Sequence, residues 1–233
     1  MTQIHASQTD STRACPPTRG CSSCPSGTLW IWVVAIGVLS CLAASGSVSS
    51  LDQQVAWWVT TRRAPFLDVF MKILTFFGSS VWTALALAGM GVYAFRRVGP
   101  AATRLLFLSF LTGAGLEVVL RFAIPHWRPD AALLASSMTP WVRFNLAGFP
   151  SGHAFRAGFV FGWLAGQLAP SPWRRLQQFS CVALIGMVGF TRVYLNRHWA
   201  SDVLGGWLVA LLALSLVRSW RQAHERRVAV AAR

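Results

Sequence analysis

This sequence is short of charge. Of its 233 residues only 12% are Asp, Glu, Lys or Arg, whereas 54% are hydrophobic. A soluble domain of ordinary composition carries roughly a quarter charged residues, about twice this fraction. The composition therefore argues against an ordinary soluble protein and favours an integral membrane protein.

Acidic residues are the scarcest part of that small charged set. Seven Asp and Glu stand against 21 Lys and Arg, which gives a formal net charge of +14. With so few carboxylates, the chain offers no carboxylate-rich metal site, and we expect no metal ion and no other cofactor. The positive charge does not require nucleic-acid binding, because 12 of the 21 basic residues fall in predicted cytoplasmic loops and tails of a membrane protein.

The five cysteines do not form a recognisable framework. Cys41 and Cys181 fall in apolar runs, where we expect packing roles, and Cys15 is isolated. Cys21-Ser-Ser-Cys24 has the spacing of redox and metal motifs but has no second motif to pair with. It lies in residues 1–27, which are polar and predicted to form a flexible cytoplasmic tail.

Six apolar runs follow the tail, and each approaches the roughly 20 residues that a membrane-spanning helix needs. We predict an all-α fold, a bundle of six transmembrane helices over residues 28–219, followed by a basic cytoplasmic tail over 220–233. Residues 51–78 carry tryptophans and interrupting charges, which favours an amphipathic segment at the membrane interface. A broken seventh span is the alternative for this segment. The six runs are 28–47, 79–96, 101–124, 153–169, 176–195 and 199–219.

The distribution of arginine predicts the orientation. The short loops "RRVGP" and "PSPWRR" and the tail "RQAHERR" are basic and would share the cytoplasmic side with both termini. The opposite, outer side should be poor in arginine but is not, and ionisable groups at a membrane boundary usually serve function. The arginines predicted on that side are Arg121, Arg128, Arg143, Arg156, Arg192 and Arg197.

Three stretches with these arginines fall on the same predicted side. They run from Arg121 to Pro129, from Phe149 to His153 and from Thr191 to Asp202. Arginine presents a planar fork of donors that suits phosphate oxygens. The stretch Pro150-Ser151-Gly152-His153 opens a predicted helix, whose first N–H groups can bind an anion.

Two histidines complete this group. His198 and Asp202 are four residues apart, so on a helix the carboxylate can hold one imidazole nitrogen and leave the other free to attack. His153 comes from a different helix. Two histidines among arginines indicate phosphoryl transfer through a covalent intermediate. We interpret His126 as a loop spacer, and expect Glu117 to pair with Arg121 or with another helix.

The three stretches resemble the motifs of the type 2 phosphatidic acid phosphatase family, membrane lipid phosphatases that share a site with vanadium haloperoxidases. They read Arg121-x6-Arg128-Pro129, Pro150-Ser151-Gly152-His153 and Thr191-Arg192-x5-His198-x3-Asp202. Arg121 stands where the family usually has lysine, and Thr191 stands where it has serine. The resemblance covers roughly residues 65–219, with matching spacings throughout.

The resemblance implies a role for each site residue. His198 would be the nucleophile, Asp202 would orient it, and His153 would protonate the leaving group. The phosphate would be held by the arginines, which replace the metal ion of other phosphatases, together with a hydroxyl and a backbone amide. The expected phosphate-binding residues are Arg121, Arg128, Ser151, Gly152 and Arg192.

The implied activity is hydrolysis of a lipid phosphate in the bilayer of a bacterial inner membrane, with the site on the periplasmic face. The expected substrate is an isoprenoid diphosphate such as undecaprenyl diphosphate. Phosphatidylglycerol phosphate, phosphatidate and lipid A phosphates are close alternatives. A non-enzymatic membrane protein that binds or transports anionic lipids is an alternative of another class, although binding alone does not need an oriented nucleophile.

Overall fold

The structure is a computed structural model that describes residues 25–129 and 146–231. The Cys21-Ser-Ser-Cys24 motif, Arg143 and most of the predicted N-terminal tail lie outside the described residues. Residues 25–27, which we assigned to that tail, already belong to the first helix.

The described residues are all-α, as predicted. They contain one isolated β-bridge, between Trp127 and Ala147, and no strand. The helices are α1 (Pro25–Ala44), α2 (Ser49–Thr60), α3 (Pro65–Thr75, followed by a 3₁₀ turn at Phe76–Gly78), α4 (Ser80–Arg97), α5 (Pro100–Ala123), α6 (Gly152–Gln167), α7 (Arg174–Tyr194) and α8 (Ala200–Ala231).

Each of the six predicted runs contains a helix, but the count of six spans is not confirmed. In the described part of the chain, three helices are long and apolar enough to cross a membrane alone, in α5, α7 and the first 24 residues of α8. Two further spans are possible if α1 with α2 and α3 with α4 each count as one bent span. α6 has 16 residues, or about 24 Å, which is shorter than a hydrocarbon core of about 30 Å.

Residues 51–78 form the two short helices α2 and α3, and each is bent away from an apolar neighbour. The bend is 84° between α1 and α2, and 43° between α3 with its turn and α4. Pro65 begins α3, where its missing N–H costs nothing. The Ser79 hydroxyl accepts the Trp82 N–H at 3.2 Å and caps α4. The placement of this segment at the membrane interface stays a prediction.

The short helix α6 lies at the centre of the bundle and packs most extensively on α7 and α8. Phe155 and Phe159 on α6 are fully buried, and Phe110 of α5 stacks on the first of them. Large apolar side chains on the outer helices, such as Phe122 and Phe179, are instead exposed. Hydrophobic surfaces of this extent suit contact with lipid.

Glycine lets the N-terminus of α6 approach α8. A methyl group at Gly206 would collide with the carbonyl oxygen of Ser151, so only glycine permits this separation. At this contact the Ser151 N–H donates to the Asp202 carbonyl at 2.9 Å. The predicted C-terminal tail continues α8 without a break to Ala231.

Candidate active site

The three motif stretches meet at one end of the bundle, where α5 and α7 finish and α6 and α8 begin. Arg121, in the last turn of α5, donates to the Pro150 carbonyl at 3.1 Å. The Ser151 N–H reaches Asp202, as described above, and the Gly148 N–H donates to the His126 carbonyl at 2.6 Å. The predicted convergence of these distant stretches is therefore present in the structure.

His198 is held by Asp202 as predicted from their spacing. The Asp202 side chain is completely buried, and its Oδ2 lies 3.2 Å from His198 Nδ1 and 2.9 Å from the Trp199 N–H. Because an ionised carboxylate only accepts, Nδ1 carries the proton and Nε2 keeps its lone pair. Burial and the charges of Arg192 and Arg128 outweigh Asp202 and lower the pKa of His198 to about 4. The ring is therefore neutral near pH 7.

The second oxygen of Asp202 is held by His126, which we had interpreted as a loop spacer. His126 Nδ1 lies 2.8 Å from Asp202 Oδ1, and the residue is 8% exposed. The spacer interpretation is wrong because the loop folds back against α8 and buries the ring. No periodicity relates a loop residue to a helix 76 positions away. The only signal in the sequence was that His126 lies within the first motif stretch.

Asp52 of α2 is a further buried carboxylate that the sequence did not indicate. Its Oδ1 accepts the Ser201 N–H at 2.9 Å, and its Oδ2 accepts the Ser201 hydroxyl. Oδ2 also lies 3.9 Å from His126 Nε2. A residue of the predicted interfacial segment thus satisfies a backbone donor at the N-terminus of α8, where negative charge is favourable.

His153 has a different kind of neighbour. It is the second residue of α6, and its Nδ1 lies 3.4 Å from Arg156 Nη2, while Arg156 Nε donates to the Gly78 carbonyl at 2.9 Å. A guanidinium only donates, so Nδ1 of His153 accepts and Nε2 carries the proton. Arg156 was predicted on this side of the membrane but not as a neighbour of His153.

Arg121 pairs with Glu117, which confirms the first of the two expectations for that carboxylate. The Arg121 Nη2 atom lies 2.6 Å from Glu117 Oε1, one helical turn earlier on α5. A methyl group at Gly152 would collide with the same carboxylate. The Arg121 guanidinium is thus fixed directly beneath the first turn of α6.

The other two motif arginines lie near both histidines. Arg192 Nη1 donates to the Thr75 hydroxyl at 2.9 Å, and the Arg192 carbonyl accepts the His198 N–H at 3.1 Å. Arg128 and Arg192 are close enough to act electrostatically on His153 as well as on His198. Thr191, the departure from the family motif, donates its hydroxyl to the Val188 carbonyl at 2.7 Å.

Ser151 supplies a polar group that nothing in the described residues satisfies. It occupies the N-cap of α6 and is fully buried, yet its hydroxyl makes no side-chain cap and has no hydrogen-bond partner there. A buried hydroxyl left in this way costs about 1–3 kcal/mol. A phosphate oxygen at the start of α6 would satisfy it, together with the first N–H groups of the helix.

Comparison with known proteins gives one family. The model of the PAP2 superfamily matches residues 101–226. Phosphatidylglycerophosphatase B of Bacillus subtilis (strain 168) is 28% identical over 196 residues, which are 81% of this chain and 92% of that protein.

Two solved structures are similar to the fold. The transmembrane PAP2-type phosphatidylglycerolphosphate phosphatase from Bacillus subtilis has a TM-score of 0.70 at 25% identity, with 84% of this chain and 96% of that chain covered. Aquifex aeolicus LpxE has a TM-score of 0.54 at 21% identity, with 73% and 95% covered.

Proposed function

The chain belongs to the PAP2 superfamily and is a membrane hydrolase of lipid phosphates, and we propose that it works through a phosphohistidine formed on His198. The observation that carries this proposal is the Asp202 carboxylate on His198 Nδ1. It leaves Nε2 of a neutral, buried imidazole as the attacking atom. A protein that only binds anionic lipids does not need that arrangement.

In the first step, Nε2 of His198 attacks phosphorus and the bond from phosphorus to the lipid oxygen breaks. The bound phosphate dianion allows His153 to carry a second proton. This imidazolium gives its Nε2 proton to the lipid oxygen and becomes neutral, so the lipid leaves as a neutral alcohol. In the second step, His153 takes a proton from water, and the resulting hydroxide oxygen attacks the phosphohistidine. Inorganic phosphate leaves, and both histidines return to their starting states.

The charge that develops on the phosphoryl oxygens needs fixed donors. Arg128 and Arg192 supply them, since both act electrostatically on His153 and on His198, and Arg121 supports the turn at Pro150. The free hydroxyl of Ser151 and the amide of Gly152 add two donors at the start of α6. We propose that these groups take the place of a metal ion, so that the reaction needs none.

The proposed substrate is phosphatidylglycerol phosphate. The Bacillus subtilis phosphatase is matched over 92% of its length in sequence and 96% in structure, which favours its substrate over undecaprenyl diphosphate, expected from the sequence. We place the site on the periplasmic face, because the loops at Arg96–Arg97 and Arg174–Arg175 at the other end of the bundle are basic.

The test is phosphate release by the purified protein in detergent micelles. Phosphatidylglycerol phosphate, undecaprenyl diphosphate, phosphatidate and a lipid A phosphate are compared, each with EDTA and with vanadate. We expect the first to give the highest kcat/KM, EDTA to have no effect, and vanadate to inhibit. A quenched reaction should contain an acid-labile, base-stable phosphoenzyme. Loss of activity on chelation that Mg²⁺ restores would contradict the metal-free mechanism.

A further inference from the structure

We propose that His126 is a positioning residue of this phosphatase, which holds one oxygen of Asp202 so that the other stays on His198. The inference deepens the proposed function and rests on it, because it assumes that His198 is the nucleophile. His126 would act through Asp202 and not on the substrate.

The geometry of Asp202 is the first ground. Oδ1 has His126 Nδ1 at 2.8 Å, while Oδ2 is shared by His198 Nδ1 at 3.2 Å and the Trp199 N–H at 2.9 Å. A carboxylate rotates about its Cβ–Cγ bond unless both oxygens are held. The shorter contact, to His126, therefore fixes the plane in which Oδ2 meets His198.

The charges around His126 are the second ground. Asp52 and Asp202 are both buried, and the imidazole lies between them, 3.9 Å from the first and 2.8 Å from the second. Two buried carboxylates repel unless a positive group separates them. Burial opposes protonation of His126, but the hydrogen bond and charge of Asp202 and the charge of Asp52 outweigh it and raise the pKa of His126.

The surroundings of His126 place it away from the phosphate. The Phe149 ring is a further neighbour, edge-on with centroids 6.4 Å apart. A cavity of about 240 Å³ borders His126 and Asp52, together with residues such as Ser49, Gln53 and Trp199. None of the arginines of the phosphate site lines this cavity. His126 is thus behind Asp202 as seen from the reacting histidine.

A simpler role must be separated from this one, since His126 also helps to attach its loop to α8. The same loop is attached by the Trp199 indole N–H, which donates to the Trp127 carbonyl at 2.7 Å. Trp199→Phe removes that attachment and keeps the backbone N–H of residue 199 on Asp202. It is therefore a matched control for loosening of the loop without loss of the His126 donor.

The experiment compares wild type, His126→Phe, His126→Asn and Trp199→Phe in detergent micelles from pH 4 to 9. Phosphate release from phosphatidylglycerol phosphate and from p-nitrophenyl phosphate is measured, with thermal stability alongside. His126→Phe keeps a ring but has no donor, whereas the asparagine amide can donate from near the Nδ1 position. Loss of the donor makes the carboxylate and His198 easier to protonate, so activity should fail at higher pH as the solution is acidified.

For His126→Phe we expect kcat to fall by about 10- to 100-fold with little change in KM. The acid limb of the pH–rate profile, where activity falls as the pH is lowered, should move up by roughly one pH unit. In His126→Asn, much of kcat should be restored, and the pH at which activity falls on acidification should return part of the way to the wild-type value. Trp199→Phe should lower thermal stability without changing that pH. An acid limb that moves equally in His126→Phe and Trp199→Phe, or in neither, would leave His126 only a structural role. If wild type hydrolyses p-nitrophenyl phosphate but no lipid, the proposed substrate class fails while this comparison still decides the role of His126.

Discussion

His198 and His153 are the same side chain in opposite settings. On His198, Nδ1 meets the Asp202 carboxylate, which can only accept a hydrogen bond. On His153, Nδ1 meets the Arg156 guanidinium, which can only donate one. The free nitrogen, Nε2, is therefore a lone pair in the first ring and an N–H group in the second.

This difference assigns the roles without reference to sequence order. A lone pair suits a nucleophile, and an N–H group suits the proton donor to the leaving lipid. Arg156 lies on α6, three positions after His153 on the same helix, and Asp202 lies in the first turn of α8, four positions after His198, which precedes that helix. Short sequence spacing at a helix N-terminus thus determines which histidine attacks and which protonates.

The largest effect should come from removing His198 and with it the lone pair on Nε2. His198→Ala should lower kcat/KM by at least about 10⁴-fold, because the proposed attacking atom is removed. The loss should be equal for phosphatidylglycerol phosphate and for p-nitrophenyl phosphate. No phosphoenzyme should be trapped with either substrate. A labelled phosphoenzyme in this variant would exclude His198 as the nucleophile.

The pair of His198 and Asp202 could be predicted from the sequence, because an i, i+4 spacing at the start of an apolar run fixes the geometry locally. The resemblance of the three motifs to those of a known family also predicted that the arginines lie at one site. His126 and Asp52 could not be predicted in this way. One lies in a loop and the other on a helix bent by 84° from its neighbour, so their positions depend on tertiary packing.

The same limit applies to the fold. Each of the six apolar runs contains a helix, because helix formation in lipid follows from hydrophobicity and length. The number of spans was not predictable for two reasons. The central helix α6 is short, and sharp bends separate α1 from α2 and α3 from α4, so that each pair can count as one span or two. Composition does not distinguish a buried central helix from one that spans the membrane.

A smaller effect, which depends on the substrate, should come from removing the Nε2–H group of His153. His153→Ala should lower kcat for the lipid by about 10²–10⁴-fold, the usual contribution of a general acid. p-Nitrophenolate needs little protonation when it leaves, so p-nitrophenyl phosphate should recover much of the lost rate. The ratio of the two rates in wild type and variant measures this. Rescue of His198→Ala in place of His153→Ala would mean that the roles are exchanged.

The smallest effect should come from removing the contact that orients His153 while keeping His153 itself. Arg156→Met takes away the group that holds Nδ1 of His153 as an acceptor, so part of the population can move its proton to Nδ1. Arg156→Met also loses the hydrogen bond to the Gly78 carbonyl, but only the 3.4 Å contact to His153 acts on the proton donor. The value of kcat for the lipid should therefore fall by only about 2- to 10-fold. The rate with p-nitrophenyl phosphate should change less, the same selectivity as in His153→Ala at reduced size. Arg197→Met is the matched control, because it removes an exposed positive charge near the end of α7. Equal losses with both substrates in Arg156→Met would show that Arg156 serves phosphate binding and not the state of His153.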